Sequence, residues 1–161
     1  MFEKSFEIPP RWCCVFAPRP ATDTHPLAVD PLHLVAGREA DVQAGLKAML
    51  TLSGGKVYFN TDGANDWSAF LVEGVEQHGF KGPHPAGNAG VHINALHPVN
   101  LERNVWHVDV QNLADMGAYL NSGKVPTARK IAVVGPAASK SEIVETQRGA
   151  SMNVFSSYAD S

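Results

Sequence analysis

Three groups of residues carry chemistry by their type: a glycine-rich stretch with a histidine, an Asp-Thr-His triplet, and two cysteines. The stretch Gly82-Pro83-His84-Pro85-Ala86-Gly87-Asn88-Ala89-Gly90 spaces its glycines as G-x4-G-x2-G. Such a turn can present backbone N–H groups to a phosphate at a helix start. It lacks the Gly-Lys-Ser/Thr of a P-loop and does not match G-x-G-x-x-G. A tight structural turn built on Gly82, His84, Pro85, Gly87 and Gly90 is therefore the plainer reading, with Gly87 expected at positive φ. Asp23-Thr24-His25 pairs a carboxylate with an imidazole, as a catalytic pair would; the same residues also close an Asx-type turn. Cys13 and Cys14 are adjacent, a spacing that strains a disulfide. With no electropositive neighbour to make a thiolate, they read as small hydrophobes in a strand. No G-x-S-x-G is present.

The seven histidines invite a metal reading, above all His84, His92 and His97. A zinc helix places two histidines four residues apart so that both rings face one ion. Here the gaps are eight and five, and His97 precedes the helix-ending Pro98. No metal site is expected. His107, in an apolar strand, reads as a hydrogen-bonded core residue.

The elements that would position these groups alternate along the chain. A short apolar strand covers 12–17 and is closed by Pro18. Residues 18–37 show no period and are punctuated by four prolines, and loops of that length are more often functional than decorative. A helix over 38–52 puts Val42, Leu46, Met49 and Leu50 on one face and stops at Ser53-Gly54-Gly55. Strands follow at 56–60 and 75–79, with a short helix at 67–72 between them. The glycine-rich turn feeds a helix with Ala89, Ile93 and Leu96 on one face. Next come a strand at 105–110 and a helix capped by Asn112, with Asp115 as its capping-box partner and Leu113, Met116 and Leu120 inward. A strand at 129–134 closes the series. Strands alternating with helices imply βαβ crossovers and a largely parallel sheet, hence an α/β fold. The strand at 143–146 and helical turn at 153–158 break that rhythm, and mobility is expected to rise after Ala150.

Composition narrows the classes. The 161 residues are 44% hydrophobic and 18% charged, which suits one globular domain rather than a disordered chain. Thirteen basic against sixteen acidic residues leave a net charge of −3, without the basic excess that nucleic-acid binding needs. No apolar run approaches the ~20 residues that cross a bilayer, and the mixed-charge N-terminus lacks the build of a signal peptide. A soluble intracellular chain is the expectation.

Three stretches resemble one family. Asp23-Thr24-His25-Pro26-Leu27-Ala28-Val29-Asp30-Pro31, Glu39-Ala40-Asp41-Val42-Gln43-Ala44-Gly45-Leu46 and Pro83-His84-Pro85-Ala86-Gly87-Asn88-Ala89-Gly90-Val91-His92-Ile93 are similar to the A subunit of the Na+-translocating NADH:quinone reductase. Val105-Trp106-His107 and Gly135-Pro136 fit as well. The resemblance implies that this chain is the middle portion of a longer protein. Its fold would be a Rossmann-like α/β domain over 1–130 with a largely parallel sheet and flanking helices. The start of a truncated β-grasp-like module would follow over 131–161.

It also implies a peripheral place on the cytoplasmic face of the bacterial inner membrane, against the membrane subunit that carries the quinone path. NADH, flavins, iron centres and ubiquinone would be used by other subunits of that respiratory sodium pump, and no cofactor would be bound by this segment. Asp23, Thr24, His25, Pro26 and Leu27 would contact quinone or a partner, with Leu27 displayed at one edge of the sheet. Flavin- and NADH-binding cousins carry acidic residues where this chain has Asn88-Ala89-Gly90. A second expectation is an NADH- or flavin-binding oxidoreductase domain resembling the flavin subunit of complex I.

Overall fold

A strand with several consecutive buried residues needs cover on both faces, and Val57, Tyr58, Phe59, Asn60 and Thr61 are all buried. A computed structural model describes residues 11–16, 29–83 and 85–158, the first of these stretches as backbone alone. In it, β1 (Arg11–Phe16), β2 (Gly54–Thr61), β3 (Val75–Gly79) and β4 (Val105–Asp109) form a parallel sheet in the order β3-β2-β1-β4. Phe16 lies in register with Asn60 on one side and Asp109 on the other, and Asn60 with His78. The helices are α1 (Pro31–Val35), α2 (Glu39–Ser53), α3 (Ala89–Leu96) and α4 (Val110–Ser122). The chain is thus an α/β fold with a small parallel sheet and flanking helices.

Strand side chains alternate between faces, and the two faces are covered unequally. Val57 and Phe59 pack with Val42, Leu46 and Met49 of α2 and with Val110, Leu113 and Ala114 of α4. Trp67 and Phe70 extend that core through tilted ring contacts, at 5.3 Å from Phe59 to Trp67 and 5.1 Å from Trp67 to Phe70. On the opposite face Tyr58 packs with Ala89, Ile93 and Leu96 of α3 and with Val105. Both sets of helix positions are those the 3.6-residue period gives.

Helices α2 and α4 approach until their backbones touch. A Cβ on Gly45 would lie 2.5 Å from the Leu113 carbonyl oxygen, and one on Gly117 only 1.7 Å from that of Asp41. Glycine is required at both by space rather than by φ.

Several expectations are corrected. The loop read over 18–37 contains α1, which starts as helices often do: Asp30 accepts the Leu32 N–H at 2.9 Å and Pro31 occupies the first turn. The helix read at 67–72 is a single 3-10 turn at Ser68–Phe70. Helix α4 is capped by Asp109, whose Oδ1 accepts the Asn112 N–H at 2.9 Å, because the helix begins two residues before Asn112. Leu120 is 57% exposed rather than inward.

The strand read at 129–134 does not join the parallel sheet. As β5 (Ala128–Val133) it pairs antiparallel with β6 (Glu142–Gln147), Ile131 opposite Val144 and Ala132 opposite Ile143. The tail continues as a 3-10 helix at Met152–Tyr158, held by the Ser139 N–H donating to the Tyr158 carbonyl at 2.8 Å. The Tyr158 hydroxyl donates to Glu142, which with Lys140 draws that carboxyl below its usual range.

Candidate functional site

The glycine-rich turn leaves the carboxyl end of β3, where the Phe80 N–H donates to the Thr61 carbonyl at 2.8 Å. It then folds as successive turns, Ala86 N–H to Pro83 O at 2.9 Å and Asn88 N–H to Pro85 O at 2.8 Å. The positive φ falls at Gly82 (150°), not at Gly87 as expected from sequence. Gly90 has open space where a Cβ would sit. What holds the turn is His92, buried on α3 and stacked on the Phe80 ring at 3.9 Å. Its Nε2 lies 2.7 Å from the Ala86 carbonyl. A carbonyl only accepts, so the proton sits on Nε2. Burial pushes this imidazole below the ordinary histidine range, only partly opposed by that hydrogen bond. Through that hydrogen bond and the Phe80 stack, His92 braces the turn from inside. His97 is likewise held down, first by burial and then by Arg103. Among the described residues no three His, Cys, Asp or Glu side chains gather as a metal would require.

A second polar centre lies where α4 meets the β5–β6 hairpin, and no sequence motif announced it. Asp115, a buried carboxylate on α4, draws in three arginines from three places in the chain. Arg38, at the head of α2, sets Nη1 2.8 Å from its Oδ1 as an ion pair. Arg129 on β5 reaches Oδ2 at 3.4 Å, and Arg148, just past β6, binds the same oxygen. Asn112 Oδ1 accepts from both hairpin arginines, at 2.7 Å from Arg129 and 3.0 Å from Arg148. Arg38 also pairs with Asp41 at 3.3 Å, and Arg129 with Asp109 at 3.6 Å. Gln111 and Lys130 add a reciprocal pair: Lys130 N–H to Gln111 Oε1 at 3.0 Å, and Gln111 Nε2 to Lys130 O at 3.3 Å. A cavity of about 230 Å³ lies against this cluster, lined in part by Leu34, Arg38, Gln111, Asp115, Arg129 and Lys130. Three guanidiniums against three carboxylates leave the centre near neutrality, so it suits holding elements together more than binding a free anion.

The first turn of α4 is already occupied by a negative group. The Asp109 carboxylate accepts the Asn112 N–H and its side-chain amide, and so takes the place a phosphate would need at this helix start. On the α3 side, Asn88 caps the helix without a side-chain hydrogen bond. Near this edge of the sheet, Asn60 is 1% exposed, and neither atom of its amide has a hydrogen-bond partner among the described residues.

The structure thus brings Gly82, Pro85 and Gly87 into one turn, puts Gly90 in the first turn of α3, and places the Arg38–Asp115–Arg129–Arg148 centre elsewhere, on α4. His84 and the run Asp23, Thr24, His25, Pro26 and Leu27 lie outside the described residues, as do the side chains of Cys13 and Cys14. Sequence reading missed all three arginines of the centre, and it took Asp115 for a capping-box partner.

Comparison with known proteins places the chain. Residues 17–125 match the family model described as the NqrA second alpha/beta domain. The A subunit of the Na(+)-translocating NADH-quinone reductase of Rhodopirellula baltica is 37% identical over 130 residues, covering 81% of this chain and 28% of the relative. The proteins of that name from Saccharophagus degradans (38% over 133 residues) and Shewanella frigidimarina (39% over 132 residues) each cover 82% of this chain and 30% and 29% of the relative. The chain spans less than a third of the length of these relatives. Among the described residues no helix is long and apolar enough to cross a membrane. With the model covering most of its length, the chain belongs to the family of the NqrA second alpha/beta domain.

Proposed function

We propose that this chain serves as a non-redox, peripheral part of the NqrA component in an Na+-translocating NADH:quinone reductase, bound to the other subunits rather than to a cofactor of its own. The partner in this reading is the membrane subunit carrying the quinone path, approached from the cytoplasmic face. The run Asp23-Thr24-His25-Pro26-Leu27, which follows β1 in the chain, is assigned to contact with that partner or with ubiquinone. The order β3-β2-β1-β4 supports a Rossmann-like reading, since it is the first part of the doubly wound order 3-2-1-4-5-6. In that architecture ligands bind outside the carboxyl ends of the strands, where the order reverses, here between β1 and β4. The two strands that would extend the sheet pair with each other as the β5–β6 hairpin instead. The family match also ends at residue 125, before β5, which supports reading 131–161 as the start of a separate β-grasp-like module.

The observation that carries the non-redox reading is that protein groups fill the α4 side of this reversal point. The Asp109 carboxylate sits on the first turn of α4, and the hairpin is tied to Gln111 and Asn112 of the same turn. A pyrophosphate brought there would meet a carboxylate instead of open N–H donors. One observation favours the second reading, an NADH- or flavin-binding domain: the buried amide of Asn60, since a buried polar side chain without a partner often marks a ligand position. Titration of the protein with FMN and with NADH, followed by fluorescence, separates the two. No saturable change at micromolar ligand is expected. Saturable binding that Asn60→Leu abolishes would overturn the non-redox reading in favour of the second.

A further inference from the structure

We infer that the outer face of α3, with the turn that follows it, is a docking surface for an uncharged face of another subunit; the inference rests on the reading of this chain as part of a multi-subunit assembly. Residues 82–101 contain no Asp, Glu, Lys or Arg, a run bounded by Lys81 and Glu102 in a chain that is 18% charged. Within that run α3 is two-sided. Ala89, Ile93 and Leu96 pack with Tyr58, and His92 is buried. The helix period puts Gly90, Val91, Asn94 and Ala95 on the opposite side, and all four are exposed. A helix face turned to water normally carries charge, as α2 does at Lys47. Just past the helix, Asn100 Oδ1 accepts the N–H groups of Glu102 and Arg103, each at 2.9 Å. That turn leaves Leu101 fully exposed and Val99 56% exposed.

Chemistry selects the occupant. A lipid-binding face attracts headgroups with Lys or Arg and anchors itself with aromatic rings. Residues 82–101 hold no Lys, Arg, Trp, Phe or Tyr. A second copy fails on size. Helix α3 has eight residues, about 12 Å of length, so pairing with itself falls well short of the roughly 800 Å² per partner that a stable complex buries. A subunit that also holds the chain elsewhere is under no such limit. Its contact here is uncharged, because a charge buried against this run would find no counter-ion in it. Depletion of charge is also what marks the centre of a protein interface. Gly90, with open space where a Cβ would sit, lets a partner's backbone come close.

Retention of the NqrA component that contains this domain on a tagged membrane subunit tests this. Ala95→Lys and Leu101→Glu each put a charge on the face at an exposed position. Thermal unfolding should stay at the parent value, while retention falls by about tenfold or more. Leu52→Glu, at another exposed apolar position near the end of α2, should be retained like the parent. Leu101→Glu lies outside the helix and remains decisive if Ala95→Lys unfolds α3. Parent-level retention of both variants overturns the inference and leaves the proposed function standing. Failure of the parent itself to be retained overturns the proposed function, and the inference with it. Two other results overturn the inference alone. Binding of the parent to phosphatidylcholine vesicles, abolished by Ala95→Lys, would assign the face to lipid. A parent dimer in sedimentation that Ala95→Lys dissociates would assign it to a second copy.

Discussion

At Gly117 a single added methyl group has nowhere to go, because the atoms it would meet are the carbonyl of Asp41 and the amide nitrogen of Gly45. Backbone cannot move aside as a flexible side chain does, so Gly117→Ala forces α2 and α4 apart along their whole contact. A loss of about 3 kcal/mol or more in denaturant unfolding is expected, at the upper end of overpacking effects. Gly90→Ala is the contrast: with open space and helical surroundings it should be neutral or add up to about 1 kcal/mol. Equal losses at the two positions would refute the close-approach account. His92 supplies a pH dependence. Its folded-state pKa lies below the ordinary value of about 6.5, so the unfolded chain takes up a proton first as the pH falls. Stability should therefore be level above neutral pH and decline as the pH drops through the window below about 6.5. His97 is shifted the same way, so His92→Gln should flatten the decline only in part. Urea midpoints for both proteins at neutral and mildly acid pH decide this, and an unchanged slope in the variant would assign the dependence to other groups.

Helix faces are legible in the sequence, and helix ends less so. Val42, Leu46 and Met49, and likewise Ala89, Ile93 and Leu96, repeat at helical spacing and pack as that spacing requires, since burial of one stripe sets the period. Helix α1 was hidden by its own start signal: Asp30-Pro31 is a cap followed by a first-turn proline, yet among so many prolines it reads as a breaker. At α4 the sequence reading took Asn112 for the cap and Asp115 for its capping-box partner, and only the backbone decides that Asp109 holds the cap. Asn112 and Asp115 turn toward the hairpin instead. Asp109→Ala should therefore cost about 1 kcal/mol of stability, as lost N-caps do. Asn112→Ala should leave helix α4 as it is and loosen the hairpin. Amide chemical shifts over 110–113, compared with those over 128–133, distinguish the two effects. A larger disturbance of the α4 start by Asn112→Ala would reinstate Asn112 as the cap.

Over the whole molecule, the α/β class and parallel sheet follow from alternation of short apolar runs with helical patterns, and those runs survive as β1 to β4. The arginine centre was not legible for a physical reason. Its members stand far apart, at 38, 115, 129 and 148, and only the three-dimensional crossing of α2, α4 and the hairpin brings them within reach. The departure of β5 from the main sheet was equally invisible. A run such as Arg129-Lys130-Ile131-Ala132-Val133 states that it is a strand, not which strand it will pair with.

The central place of β1 in the sheet has a consequence for how the chain is born. The first strand of the sheet to be synthesised is flanked on both sides, by β2 at residues 54–61 and by β4 at 105–109. A ribosome that has delivered β1, α2 and β2 has satisfied one edge of that strand and left the other bare until β4 has emerged. Both of its pairings are long-range, the kind that slows folding and exposes nascent edges to wrong partners. For this chain the vulnerable interval of biogenesis runs from the completion of β2 to the arrival of Val105–Asp109.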